Sequence, residues 1–303
     1  MLLVVAAIIR GPDGRILLSQ RPAHKHKGGC WEFPGGKVEP GESLADALAR
    51  ELEEELGLRV RACQPFMTIE HHYPELSVRL CFREVTDFDG EPAGREGQLV
   101  EWFAPDALSS LGFPEANEPV VRALALPDQY LILPSPLPMD WAAILPRSIR
   151  AGAHLVYLRG VRDEALLRLL VECCHANAAR ALVADDPVLA KRVGADGVHL
   201  RRDAALALDD RPEVPWVSMA CHDAEALAHA QHLNADMVML SPVRETPTHA
   251  GQPGMGWAAL RRLAEGLPIA VYALGGVTPA DLPQARQAGA RGVAGIRGFW
   301  LTD

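Results

Sequence analysis

The sequence predicts a two-part α/β chain: an α/β domain with a mixed sheet, followed by a compact parallel (β/α)8 barrel. Three observations lead there. At 303 residues the chain is about twice the usual length of one domain, so two hydrophobic cores are expected. The first stretch combines short apolar runs with one strongly patterned helix, whereas from residue 128 onward short apolar runs alternate with alanine- and leucine-rich helical stretches. An amphipathic segment from Glu118 to Leu126 stops at Pro127, which sets the two domains at 1–127 and 128–303.

In the first domain, Leu2 to Ile9 is an apolar run that meets Gly11-Pro12-Asp13-Gly14 and resumes at Arg15 to Ser19, the pattern of a hairpin. Ser43 followed three residues later by Asp46, with Gly57 at the far end, frames a helix over 43–56, and Leu76 to Val85 reads as a strand. In the second domain the expected strands are 130–133, 154–158, 181–184, 197–200, 216–219, 237–240, 269–273 and 292–296. Helices are expected at 164–175, 224–233 and 279–288, among others, and a doubly wound open sheet is the alternative arrangement.

A hydrophobic content of 49% with 23% charged residues describes a chain that folds throughout. The net charge of -9 argues against a nucleic-acid polymer as partner, because phosphate backbones are bound by broad basic surfaces. None of the six cysteines has a CxxC or Cys/His spacing suited to zinc. The apolar start lacks a basic leader and is too short to span a bilayer, so the expectation is a cytoplasmic protein without a membrane partner. No feature indicates an oligomeric state.

Chemistry concentrates on the helix at 43–56. Glu51, Glu54 and Glu55 share one face at i, i+3 and i+4, while Leu44, Leu48, Leu52 and Leu56 line another. Each like-charged pair costs about 0.2 to 0.5 kcal/mol on an exposed helix, and more in a dry site. A solvated acidic face is one reading; the other is a site for a divalent cation such as Mg2+ or Mn2+, which removes that cost. Gly35 and Gly36 favour the second by letting backbone approach an ion closely, and Arg50 can hold a glutamate through a forked hydrogen bond.

Gly36, Glu42, Arg50, Glu51, Leu52, Glu54, Glu55, Gly57 and Leu58 match G-x5-E-x7-R-E-U-x-E-E-x-G-U, where U is aliphatic, at every defined position. The run resembles the Nudix box. Trp31-Glu32-Phe33-Pro34-Gly35-Gly36-Lys37, the stretch Gly90 to Gln98, and Phe113 to Pro119 extend the likeness to Nudix hydrolases of the MutT type over nearly all of 1–127. It implies an α/β/α sandwich that hydrolyses a nucleoside triphosphate, 8-oxo-dGTP in particular, to monophosphate and pyrophosphate. By resemblance the metal ligands are the Gly35 carbonyl, Glu51, Glu54, Glu55 and Glu96, with Glu51 the group that activates water. Arg21, Phe33 and Asn117 fall at nucleotide-contacting positions, Asn117 reading the base; a helix-capping role is the plainer reading of that asparagine. Leu76 departs from the pattern where a basic residue is expected.

In the second domain, Asp196-Gly197-Val198-His199-Leu200, Ser241-Pro242-Val243 with Thr246-Pro247-Thr248, and Gly275-Gly276-Val277-Thr278 lie near predicted strand ends, where such barrels place catalytic groups. Together they resemble the thiamine phosphate synthase and TenI family. The likeness points to Arg159, Asp185, His222, Thr246, Thr248, Gly275, Gly276 and Arg297 as site candidates, with His222 a proton-transfer group and the glycines near the last two strands a seat for a small phosphate ester. Val161, Ala184, Ala204 and His249 depart from the synthase pattern at its cationic and acidic positions, so thiamine phosphate synthesis is not expected unless Asp203 substitutes. Alternatives are a bifunctional enzyme that hydrolyses a thiamine diphosphate analogue, and a hydrolase regulated by its barrel.

Overall fold

The computed structural model describes residues 1–21, 27–74, 76–246, 251 and 253–302. They group into two compact units, Met1–Ala125 with Glu265–Pro268, and Leu126–Ala264 with Ile269–Asp303.

The first unit contains β1 (Leu2–Ile9), β2 (Ile16–Gln20), β3 (Trp31–Glu32), β4 (Gly35–Lys37), α1 (Leu44–Leu56), β5 (Arg59–His72), β6 (Ser77–Asp89), β7 (Val100–Phe103) and α2 (Glu118–Leu124). One sheet runs β4-β1-β6-β5 and mixes parallel and antiparallel pairs; a second, antiparallel throughout, runs β3-β2-β7. The hairpin expected at the start forms only at its turn, where Arg10 bridges Ile16 and the Gly11 amide donates to the Arg15 carbonyl at 2.8 Å; beyond it the two strands lie in different sheets. Strand β1 instead pairs in parallel with β6 from Leu2–Val78 through Ile9–Val85, and Val5 to Ile9 are buried in succession rather than alternately. Strand β5 escapes the sequence pattern because its register with β6 shifts repeatedly at bulges, which breaks the alternation a strand otherwise shows.

Helix α1 begins where Ser43 accepts a hydrogen bond from the Asp46 amide and ends at Gly57, whose φ of 72° is left-handed. Its Ala47, Leu48, Leu52 and Leu56 pack into Val5, Ala7, Ile9, Leu17, Leu58 and Val85. That stripe fixes the helix's rotation, and with it the direction of every carboxylate.

In the second unit β8 (Gln129–Ile132), β9 (Leu155–Leu158), β10 (Arg180–Ala184), β11 (Gly197–Leu200), β12 (Trp216–Cys221), β13 (Met237–Leu240), β14 (Ala270–Leu274) and β15 (Gly292–Gly295) close a parallel barrel by pairing Ala294 with Tyr130. The expected strands are present to within a residue or two, and closure rules out the open-sheet alternative. Around them lie α3 (Trp141–Arg150), α4 (Glu164–Ala176), α5 (Pro187–Val193), α6 (Arg202–Leu206), α7 (Ala224–His232), α8 (Gly256–Ala264) and α9 (Leu282–Gln287). Asp163, Asp186 and Asp223 cap α4, α5 and α7, each accepting an amide hydrogen bond at 2.8 Å, so the βα loops end in the residue type that starts a helix. Among the described residues no helix is long and apolar enough to cross a membrane.

Among the described residues the barrel interior carries one buried histidine. His199 lies against the Tyr157 ring at 4.2 Å, with its Nδ1 2.8 Å from Ser218 Oγ, and burial holds its pKa down to about 3. Between that value and the ordinary one near 6.5, the unfolded chain binds a proton that the folded chain refuses. This contribution to stability is therefore complete above about pH 6.5 and is lost as pH falls towards 3. Denaturant unfolding of the full chain across pH 3 to 7 should show His199→Gln losing up to about 1 kcal/mol per pH unit of the wild-type slope. Equal slopes would refute the burial argument.

Candidate active site

With its leucines committed to the core, α1 turns Glu51 and Glu55 onto β4 and leaves Glu54 exposed beside them. The Glu51 carboxylate rests on Gly36: a Cβ there would lie 2.3 Å from Glu51 Cδ and 2.4 Å from either oxygen. Only glycine leaves that cradle open. Gly35, at φ 145°, is pressed against β1, where an added Cβ would meet the Val5 carbonyl oxygen at 2.2 Å, and its amide donates to Glu55 Oε2 at 3.2 Å.

Arg50 binds the acidic cluster together. Its Nε and Nη2 fork onto the two oxygens of Glu42, each at 3.0 Å, its Nη1 reaches Glu51 at 2.9 Å and Glu54 at 3.5 Å, and Nη2 also donates to the Lys37 carbonyl at 3.1 Å. The sequence pattern foresaw a fork from Arg50 to a glutamate. It did not identify Glu42, which lies eight positions back across a turn and so outside helical spacing.

Burial pushes the Glu55 carboxyl up to about 7, opposed by the Gly35 amide and reinforced by the negative charges of Glu51, Glu32 and Glu96. Glu96 reaches this neighbourhood because its loop is sewn to the end of α1. The amides of Ala93 and Arg95 and the Gln98 side chain donate to the Leu56 and Glu55 carbonyls at 2.9 to 3.1 Å. Among the described residues no three His, Cys, Asp or Glu side chains form a ready-made metal cage, Arg50 engaging Glu51 and Glu54. The donor set is nonetheless all oxygen, mutually repulsive and opened by a glycine cradle, which suits a hard divalent cation.

The three nucleotide-contact candidates fall on separate loops. Phe33 is buried, stacked on Phe113 with ring centroids 5.7 Å apart and edge-on to Phe82 at 5.6 Å. Arg21 pairs with Glu32. Asn117 ends the 3-10 turn Glu115–Asn117 at the start of α2, half-buried, and its side chain makes no capping hydrogen bond, so the helix-capping explanation of this residue fails. Phe113 and Glu32 are neighbours of the site that no spacing rule singled out.

In the barrel, Arg159, His222, Thr246, Gly275, Gly276 and Arg297 line one cavity of about 650 Å3 together with Ile132, Ser241, Val277, Thr278 and Gly298. His222 Nδ1 lies 2.8 Å from the Ser241 carbonyl oxygen, an obligate acceptor, so the proton sits on Nδ1 and Nε2 is left to exchange one. Gly275, Gly276 and Gly298 all take left-handed φ values, 101°, 67° and 76°, and Cβ atoms on the first two would strike Pro242 and Arg244 at 2.8 Å. Asp185 is not part of this lining. It holds Arg201, accepting from its amide at 2.8 Å and its Nε at 2.6 Å. Asp203 is exposed, and Thr248 and His249 lie outside the described residues.

A family model described as a NUDIX domain matches residues 5–123, and one described as thiamine monophosphate synthase matches residues 129–299. The chain is 39% identical over 121 residues to the 8-oxo-dGTP diphosphatase of Escherichia coli (strain K12), covering 40% of this chain and 94% of that protein. It is 41% identical over 126 residues to the CTP pyrophosphohydrolase of the same organism, covering 41% and 90%. The thiamine-phosphate synthase of Synechococcus sp. (strain WH7803) is 32% identical over 164 residues, 52% of this chain and 46% of that one. The chain therefore belongs to the Nudix family of hydrolases through its first unit and to the thiamine monophosphate synthase and TenI family through its second.

Proposed function

We propose that the first unit hydrolyses 8-oxo-dGTP to monophosphate and pyrophosphate, using Mg2+ or Mn2+ held by Glu51, Glu54, Glu55, Glu96 and the Gly35 carbonyl. The observation that carries this is Glu51, seated on Gly36 and steered by Arg50 at 2.9 Å. A bound divalent cation acidifies water and neutralises charge on the phosphate oxygens. Glu51 takes the proton from the attacking water, Arg50 keeps that carboxylate aimed, and Glu54 would help to hold the cation. Phe33 and Phe113 supply an aromatic wall, and the uncapped Asn117 amide offers both a donor and an acceptor to the base edge. Working in the cytoplasm, such an enzyme removes an oxidised precursor before polymerases insert it into DNA.

A panel of 8-oxo-dGTP, dGTP, CTP and thiamine diphosphate, given to the full chain with Mg2+, tests the substrate. Turnover should be fastest for 8-oxo-dGTP; preference for CTP or thiamine diphosphate refutes the reading.

Glu51→Gln should lower kcat by about 100-fold or more while the chain stays folded, since α1 keeps its leucine stripe and the lost Arg50 ion pair is offset by relieved repulsion, and Glu54→Gln should act less severely. Wild-type rates for Glu51→Gln would remove the site assignment. Asn117→Ala should narrow the preference for 8-oxo-dGTP over dGTP by about 1 to 3 kcal/mol, the cost of an unmatched buried polar edge. In steady-state competition, unchanged selectivity with a collapsed kcat would make Asn117 structural instead.

A second reading concerns the barrel, whose cavity we infer binds a small phosphate ester without making thiamine phosphate. The left-handed glycines and Arg159 and Arg297 supply amides and positive charge. The acidic Asp185 is consumed by Arg201, and Val161, Ala184 and Ala204 supply neither cation nor carboxylate. Titration of the full chain with thiazole phosphate should show binding, and a coupled assay should show no thiamine phosphate. His222→Ala should keep the affinity and abolish any thiazole isomerisation. Appreciable synthesis, or no binding, overturns the respective half.

A further inference from the structure

We infer that the ion pair between Lys27 and Glu115 is a latch that positions Asn117, and so tunes substrate preference from outside the base-reading contact; this rests on the proposed role of Asn117. Lys27 Nζ lies 2.7 Å from Glu115 Oε1, joining loops 88 positions apart in the chain. Each end of the bridge is tied to a nucleotide-contact candidate.

On one side, Lys27 occupies a left-handed backbone position, and its carbonyl accepts from the Cys30 amide at 3.3 Å. Arg21 and Cys30 are joined by an amide-to-carbonyl bond of 2.9 Å, and Gly29 donates to the Arg21 carbonyl at the same distance. Lys27 therefore lies one backbone hydrogen bond from Cys30, the residue whose carbonyl accepts from Arg21. On the other side, Glu115 opens the three-residue turn that Asn117 closes, with the Asn117 amide donating to the Pro114 carbonyl at 2.9 Å. Ala116 between them is buried, and its backbone is held by Tyr73. The Asn117 side chain has no capping bond of its own, so its direction is inherited from the turn, and Glu115 is the turn's outer handle. Both partners of the pair are substantially exposed, 39% and 55%, so the fold does not depend on it.

The test uses full-length K27M, E115Q and the charge-exchanged K27E/E115K, with K27M repeated in an N117A background. Each single substitution should raise KM for 8-oxo-dGTP about three- to fivefold and narrow its preference over dGTP by a similar factor, with kcat within about twofold, as expected for one exposed pair. The exchanged variant should restore both, and K27M should add nothing in the N117A background. Unchanged KM and preference in the singles, or no restoration by the exchange, overturns the latch. A full K27M effect in N117A also overturns it, because Lys27 would then meet the substrate directly. Should 8-oxo-dGTP not be hydrolysed at all, the base reading fails by itself; the same KM comparison, made with the triphosphate turned over fastest, then decides the latch by rescue in the exchanged variant.

Discussion

Glu51, Glu54 and Glu55 repel one another on one face of a helix, and the guanidinium of Arg50 offsets that repulsion at Glu51 and Glu54. It binds Glu42 with a two-pronged fork, touches Glu51 and Glu54, and holds the Lys37 carbonyl. One planar group thereby ties the helix to the loop that precedes it. Gly36 stays beneath Glu51 because β4 is paired with β1 at Val5, and the leucine stripe keeps the helix from rolling. A lysine could neutralise the same charge, but it lacks the fork that fixes Glu42 and the loop together. The acidic site is thus a product of local geometry and core packing in equal measure.

Much of this was legible in the sequence because the signals are short-range. Ser43, Gly57 and the i, i+3, i+4 carboxylates are set by helix geometry alone, and the barrel strands are marked by apolar runs between loops. What escaped notice was long-range or irregular. Pairing β1 with β6 spans 76 positions and leaves only the turn end of the hairpin that Gly11 to Gly14 advertises. The bulges of β5 erase its alternation. The Arg50–Glu42, Arg21–Glu32 and Phe33–Phe113 contacts depend on where loops and the short strand β3 run, which no periodicity encodes, as does the Lys27–Glu115 pair 88 positions apart. Asn117 shows the opposite case: sequence left it between capping a helix and reading a base, and the absent capping bond removes the first.

The barrel divides its own polar groups in the same way, by whether the protein has already spent them. At the ends of β10 and β11, Asp185 and Arg201 satisfy each other, and Asp185 keeps only 10% of its side chain exposed. A carboxylate so engaged is a poor ligand for anything added later. Around the cavity the balance is reversed. His222 uses Nδ1 on the Ser241 carbonyl and keeps Nε2, Arg159 Nε is buried without a hydrogen-bond partner among the described residues, and three glycines hold left-handed turns that a side chain would strain. A buried unsatisfied donor such as Arg159 Nε in a mostly apolar cavity of about 650 Å3 is costly unless a ligand meets it, so the cavity beside β8, β9 and β12 to β15 is better prepared for a ligand than the Asp185–Arg201 pair at β10 and β11.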